Sequence, residues 1–280
     1  MKLKTLVAAV AIVVAAPAFA AIAPGSSGNG ELFLNVVDSS AQVSYVFDTG
    51  IRMNDFLVTG QSALGASLSF DIASNALYQT FLSKVSSANL KWSVVAIDST
   101  GSTGPGLQRL FTTVTAGQEA TVATLANSNL TNGIGATQAG NFFNTVNGTA
   151  LQAAGKSTHS PVNQTNYTIN GNSYSAAADA GTGYYGKTGG LSANYNNNAP
   201  FTATNLVGVA SSFDYLTRSG SIGSDKVLVD LFDNNQGAGR FDFDGDKLTY
   251  SLPVPEPETY ALMLAGLAAV GLMARRRRAP

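Results

Sequence analysis

Leu32-Phe33-Leu34-Asn35-Val36-Val37-Asp38-Ser39-Ser40-Ala41-Gln42-Val43-Ser44-Tyr45-Val46-Phe47-Asp48-Thr49-Gly50 is the stretch on which the fold turns. Two runs of aliphatic, β-branched and aromatic residues are separated by Asp-Ser-Ser and closed by Asp-Thr-Gly, which is the pattern of a β-hairpin. Working outward, residues 66–72 alternate, with Leu68, Phe70 and Ile72 on one side and Ser67, Ser69 and Asp71 on the other. Further strands are expected at 91–97, at 107–114 after the glycine-rich 101–106 turn, and at 201–215, 226–232, 240–243 and 247–252. Between the early strands, Leu77, Phe81, Leu82 and Val85 recur at helical spacing after Ser74-Asn75, which predicts a short amphipathic helix.

Residues 126–200 break this rhythm. They are rich in Asn, Gly, Thr and Ala, and read as an ordered but irregular insertion with a short helix near 137–146. Residues 21–30, with Pro24-Gly25-Ser26-Ser27-Gly28-Asn29-Gly30, have the composition of a flexible lead-in. The expected body is therefore mainly β, an antiparallel β-sandwich-like domain over 31–252 with a few short helices, closed by its first and last strands.

Both ends read as processing signals. Met1-Lys2-Leu3-Lys4, an apolar run from Leu6 to Ala16, and Pro17-Ala18-Phe19-Ala20-Ala21 form the basic region, apolar core and A-x-A exit of a Sec signal peptide over 1–20. Eleven apolar residues are too few to span a bilayer as a helix, which takes about 20. Ala18, Ala20 and Ala21 mark the cleavage point, and the Sec translocon and signal peptidase are the implied partners. The other end, 253–280, runs Val254-Pro255-Glu256-Pro257-Glu258-Thr259-Tyr260, an apolar segment over 261–274, and Arg275-Arg276-Arg277-Arg278. The prolines prevent continued strand or helix through the motif. An apolar helix over 259–274 reads as a marginal transmembrane crossing extended by snorkelling arginines. The arginine cluster obeys the positive-inside rule and acts as a stop-transfer.

Motif, weak apolar helix and terminal arginines, in that order, resemble the PEP-CTERM sorting tail of Gram-negative bacteria, with Pro255, Glu256 and Pro257 as the motif. The resemblance implies an exosortase, a membrane-embedded cysteine transpeptidase-like enzyme, that cuts near the motif and discards the tail, much as a GPI signal is discarded. It also implies passage through the inner membrane to the cell surface or matrix, and association with exopolysaccharide loci. A permanent single-pass tail anchor is the alternative for the same residues.

The terminal signals distort the statistics of the chain. Lys2, Lys4 and Arg275–Arg278 are six of 16 basic residues, and Glu256 and Glu258 two of 17 acidic ones, so the body retains 10 against 15. An acidic body offers no field for nucleic acid. Charged residues are 12% of the chain, about half the share usual in soluble globular domains. Cysteine is absent, so a body in an oxidising compartment depends on its core alone.

Candidate chemistry is sparse. Asp242-Phe243-Asp244-Gly245-Asp246, with Asp230 and Asp233 nearby, is the densest acidic run. It reads as a tight hairpin turn, with weak Ca²⁺ binding by Asp242, Asp244 and Asp246 as the alternative, since the EF-hand pattern and its distal Glu are missing. His159 is the single histidine and lies in a polar stretch without a G-x-S-x-G elbow. Tyr184, Tyr185 and Tyr195, with Tyr174, stand among Asn and Gly; they read first as rings packed beneath their own loops, with stacking on sugars as the alternative. No catalytic residue and no cofactor are expected. The expected function is a non-enzymatic surface or matrix protein of the biofilm or exopolysaccharide-associated envelope. The alternatives are a carbohydrate-binding adhesin and a self-associating β-fibre subunit, with a secreted hydrolase as the weakest.

Overall fold

The computed structural model describes residues 22–85, 90–101, 103–135, 140, 143, 146, 172–176, 205–254 and 257–276. The hairpin forms as β1 (Glu31–Asp38) and β2 (Val43–Arg52), antiparallel, with a bulge between Glu31 and Phe33. After it come α1 (Met53–Thr59), β3 (Ala66–Asp71), α2 (Ala76–Leu82), β4 (Leu90–Asp98), β5 (Arg109–Val114), α3 (Glu119–Val122) and α4 (Asn127–Ile134). The second half holds β6 (Ser173–Ala176), β7 (Asn205–Leu206), β8 (Ser211–Thr217), β9 (Leu228–Leu231), the β10–β11 ribbon (Asp233–Asn234, Gly237–Ala238), β12 (Arg240–Phe243) and β13 (Lys247–Leu252). Helix α5 (Pro257–Arg276) ends the described chain.

Apart from the β10–β11 ribbon, the described strands join one antiparallel sheet in the order β3-β13-β12-β8-β5-β4-β1-β2-β6, with β7 on β4 and β9 on β8. The expected sandwich is thus corrected to a single sheet curled into a half-barrel. Two strands share one edge between two partners and so let the sheet bend. β8 pairs β12 at Ser211–Ser212 and β9 at 214–217, while β4 pairs β7 at Lys91–Trp92 and β5 at Val95–Asp98. Strand twist accumulates across such a sheet in one hand, which brings its margins round toward each other. Phe47 of β2 meets Phe70 of β3 with ring centroids 5.8 Å apart. Asn75 caps α2 by accepting from the Leu77 and Tyr78 amides at 3.0 and 3.1 Å, and Tyr78 and Phe81 of α2 pack on Tyr45.

Burial explains the sequence patterns. All of β1 is buried, so its run is almost continuously apolar, whereas β3 and β13 alternate because one of their faces meets water. Inside the curve lie Leu34, Tyr45, Trp92, Phe111, Phe213, Phe241 and Tyr250. Phe56 of α1 plugs one end of this core, its ring 5.0–6.5 Å from those of Phe111, Phe213, Phe232, Phe241 and Tyr250. A second apolar layer covers the outer face, where Phe33, Val95, Leu110 and Leu216 pack with Leu130, Ile134 and Phe143.

Two segment expectations change. The lead-in is packed from residue 22: Ile22 is buried, the Ala23 amide donates to Glu31 Oε2 at 2.6 Å, and the Ser99 amide donates to Gly25 O at 3.0 Å. A Cβ at Gly25 or Gly30 would lie 2.2 or 2.1 Å from Ile97 O, so glycine is what allows this close approach. The 126–200 region also belongs to the fold where it is described, since α4 covers the outer face and β6 extends the sheet beyond β2. Residues 140, 143 and 146, within the expected 137–146 helix, are helical.

Candidate functional site

Every ladder is antiparallel, so β13 and β4 end, and β1, β12 and β3 begin, at the same end of the half-barrel. The chain leaves the body there. Leu252 is the last ladder residue, opposite Ala66, and Pro253 follows at once. Asn234 of β10 holds this exit. Its Nδ2 donates to Pro253 O at 2.7 Å and to Ser62 O at 3.1 Å, while its Oδ1 accepts from the Gln236 and Gly237 amides. Gly65, at φ +82°, lets the turn before β3 close against the same segment, for a Cβ there would lie 2.3 Å from Val254 Cγ1. The Pro255-Glu256-Pro257 motif therefore follows a fixed point of the fold after a single residue, Val254.

A second polar node organises the same end. Arg218, just past β8, is buried with no carboxylate partner among the described residues. Its guanidinium donates to Gly220 O (3.1 Å), Ser221 O (3.1 Å), Asn127 O (3.3 Å), Gln108 Oε1 (3.4 Å) and Thr131 Oγ1 (2.5 Å). Asn127 Nδ2 donates to Ser219 Oγ, Gly220 O and Ile222 O, so the 219–225 loop is tied to the start of α4. Arg109 pairs with Asp98 at 2.8 Å and also donates to Gly28 O, and Arg52 pairs with Glu31 at 3.1 Å. Five neutral acceptors around one buried guanidinium can replace its hydration without a counter-charge.

The acidic run forms the β12–β13 turn. Asp244 Oδ1 accepts from the Asp246 and Lys247 amides at 2.9 and 2.7 Å, Gly245 takes φ +109°, and Tyr78 Oη donates to Gly245 O. Asp242 lies on β12 and Asp246 in the turn just before β13, with Asp230 on β9 and Asp233 on β10. Among the described residues no group of three or more His, Cys, Asp or Glu side chains is placed to hold a metal ion. Tyr174 is buried on β6 opposite Tyr45 and belongs to the core, as the packed reading expects, which removes it from the sugar-stacking alternative. Tyr184, Tyr185, Tyr195, His159, Ala18, Ala20, Ala21, Pro255, Glu256, Arg277 and Arg278 lie outside the described residues.

Two buried carboxyls stand out electrostatically. Burial, then the nearby charges of Glu119 and Asp230, pushes Asp214 up to about 7. Burial likewise raises Asp48 to about 7, with Glu31 adding to the rise and the Gly50 amide and Arg52 opposing it.

The tail itself decides the assignment. Helix α5 begins at Pro257 and runs for 20 residues to Arg276, with Leu262, Leu264, Leu267 and Val270 exposed along it. Residues 253–278 match the PEP-CTERM protein-sorting motif. No curated protein and no solved structure is significantly similar to the chain. The PEP-CTERM motif implies an exported protein that an exosortase sorts, by way of a membrane-anchored stage, to the cell surface. No helix among the described residues is long and apolar enough to cross a membrane. The uncharged part of α5 after Tyr260 is Ala261–Ala274, about 21 Å at 1.5 Å per residue, against a hydrocarbon core of about 30 Å.

Proposed function

We propose that this protein is a non-enzymatic structural component of the cell surface or extracellular matrix, working in biofilm or exopolysaccharide-associated envelope. Its body is delivered by the PEP-CTERM tail and released from it by an exosortase. The observation that carries this reading is the junction: a sorting motif follows directly on a self-contained half-barrel whose exit Asn234 fixes. A body with few charges, no cysteine and no metal-binding group among the described residues suits a scaffold that persists outside the cell. Intact-mass measurement of cell-associated and released protein tests the proposal. Released protein lacking Arg275–Arg278 supports it, and released protein that still carries them refutes processing.

The edge strand β3 favours a second reading, a self-associating β-fibre subunit. Its outer edge has no ladder partner among the described strands, and it carries neither proline nor lysine to block pairing. Electron microscopy of the released body decides: filaments support self-assembly, and monodisperse particles exclude it.

A further inference from the structure

Outside α5, the large apolar side chains left exposed on the body are unevenly placed. Val58 (78% exposed) closes α1, Leu64 (63%) lies in the turn before β3, and Val254 (52%) follows the Asn234-held proline. Ile222, Leu228 and Val229 sit on the Arg218-organised loop and the adjoining β9, at the same end of the half-barrel. The opposite end keeps only Leu206 and Val209 of this class among the described residues. Soluble surfaces scatter such residues singly, and their concentration at one end marks a contact surface.

Chain geometry says what that surface meets. Between the fixed Pro253 and the first residue of α5 stand Val254, Pro255 and Glu256. Three such residues, fully extended, reach about 10 Å. A body tied this closely to a membrane-seated tail cannot float free of the bilayer, and the face turned toward the bilayer is the exit end. The exposed charges there are of both signs, Asp55 and Asp233 with Lys226 and Arg240, and the body is acidic overall, so this end carries no basic field for electrostatic adhesion. We infer that Val58, Leu64 and Val254 form an apolar footing that enters the interfacial layer of a lipid surface while the tail is still attached, pressing the body onto the membrane. Aliphatic side chains around a tethered stalk partition there by hydrophobic burial, which salt does not screen. This inference rests on the membrane-anchored sorting stage and adds to it the body surface engaged.

The absence of cysteine makes the test clean. Single variants Val58→Cys, Leu64→Cys and Val254→Cys of the full chain, each carrying an environment-sensitive fluorophore, are reconstituted in vesicles of phosphatidylethanolamine and phosphatidylcholine containing 5-doxyl or 12-doxyl lipid. Ser39→Cys, in the hairpin turn at the opposite end, is the aqueous control, and Leu264→Cys in α5 the membrane control. The expected result is quenching at the three rim sites at least about twofold above Ser39, stronger with the 5-doxyl than the 12-doxyl lipid. It persists at high salt. Rim labels that behave like Ser39 while Leu264 is quenched overturn the footing and leave the sorting reading intact. A Leu264 label that is also unquenched overturns both. Rim labels shielded only when an exosortase is reconstituted with the protein overturn the lipid assignment in favour of a protein contact.

Discussion

Replacing Asp214 by Asn should reshape how stability depends on pH. Asp214 lies on β8 opposite Thr112 of β5 and Leu231 of β9, 4% exposed, and its Oδ1 has no hydrogen-bond partner among the described residues. Burial and the charges of Glu119 and Asp230 raise its carboxyl to about 7 from an ordinary value of 3.8. Between those values the folded protein keeps a proton that the unfolded chain has lost, so stability falls as pH rises. The slope reaches about 1.4 kcal/mol per pH unit and vanishes above about pH 8, where both states are ionised. Integrated from pH 5 to pH 8, this one group removes about 3 kcal/mol. Asn keeps the shape of the protonated side chain and cannot ionise. The advantage of Asp214→Asn over the parent should therefore grow by about 3 kcal/mol between pH 5 and pH 8, and the two proteins should converge near pH 3. Asp48, raised by burial in the same way, is present in both and cancels. Urea unfolding at intervals from pH 3 to pH 9, followed by far-ultraviolet circular dichroism and the fluorescence of the single tryptophan, Trp92, reads the difference. Parallel pH profiles for the two proteins would refute the reasoning, as would an advantage that shrinks with rising pH.

Phe56→Ala should destabilise the body by about 3–5 kcal/mol in the same unfolding assay, because it empties a site ringed by five aromatic side chains. Arg218→Met removes the donor shared by five acceptors, of which Asn127 O and Gln108 Oε1 belong to buried residues, and should lose about 1–3 kcal/mol, with hydrogen exchange rising first in the 219–225 loop. Asn234→Ala should lower stability by about 1–3 kcal/mol and make the chain near Val254 more readily cut by added protease, which limited proteolysis with mass spectrometry would detect. Glu256→Ala, at the centre of the sorting motif, should yield cell-associated protein that keeps Arg275–Arg278 by intact mass, whereas normal release of the shortened form would show that this carboxylate is not read.

The local elements were legible where one rule of periodicity acted alone. β1, β2, β3, β4, β12 and β13 follow continuous or alternating apolar patterns, and α2 carries both helical spacing and an Asn75 cap. Helix α1 escaped notice because it is seven residues long, buries only Met53 and Phe56, and has no capping side chain at Arg52. The choice between sandwich and half-barrel depends on which distant strands share an edge, as in the divided edges of β4 and β8, and no local pattern encodes that. The same holds for the exit. Pro255-Glu256-Pro257 is linear and could be read directly, but Asn234 acts on residues 19 and 172 positions away. A Gly60–Gly65 turn with no charge of its own gave no hint that it would meet the tail. Packing of Tyr174 was expected, but not its partner: its sequence neighbours are polar, while the residue across the ladder, Tyr45, belongs to the core.

The pairing of β3 with β13 also sets an order of events. β3 is complete by Asp71, yet its one ladder partner among the described strands ends at Leu252, immediately before the sorting tail. Leu68 and Phe70 therefore wait for Leu248 and Tyr250 across some 180 intervening residues, and closing so long a loop comes late in folding. The first edge of the half-barrel is latched by the last strand before the Pro-Glu-Pro segment, so a chain cut short anywhere ahead of Leu252 would leave Leu68 and Phe70 without their partners.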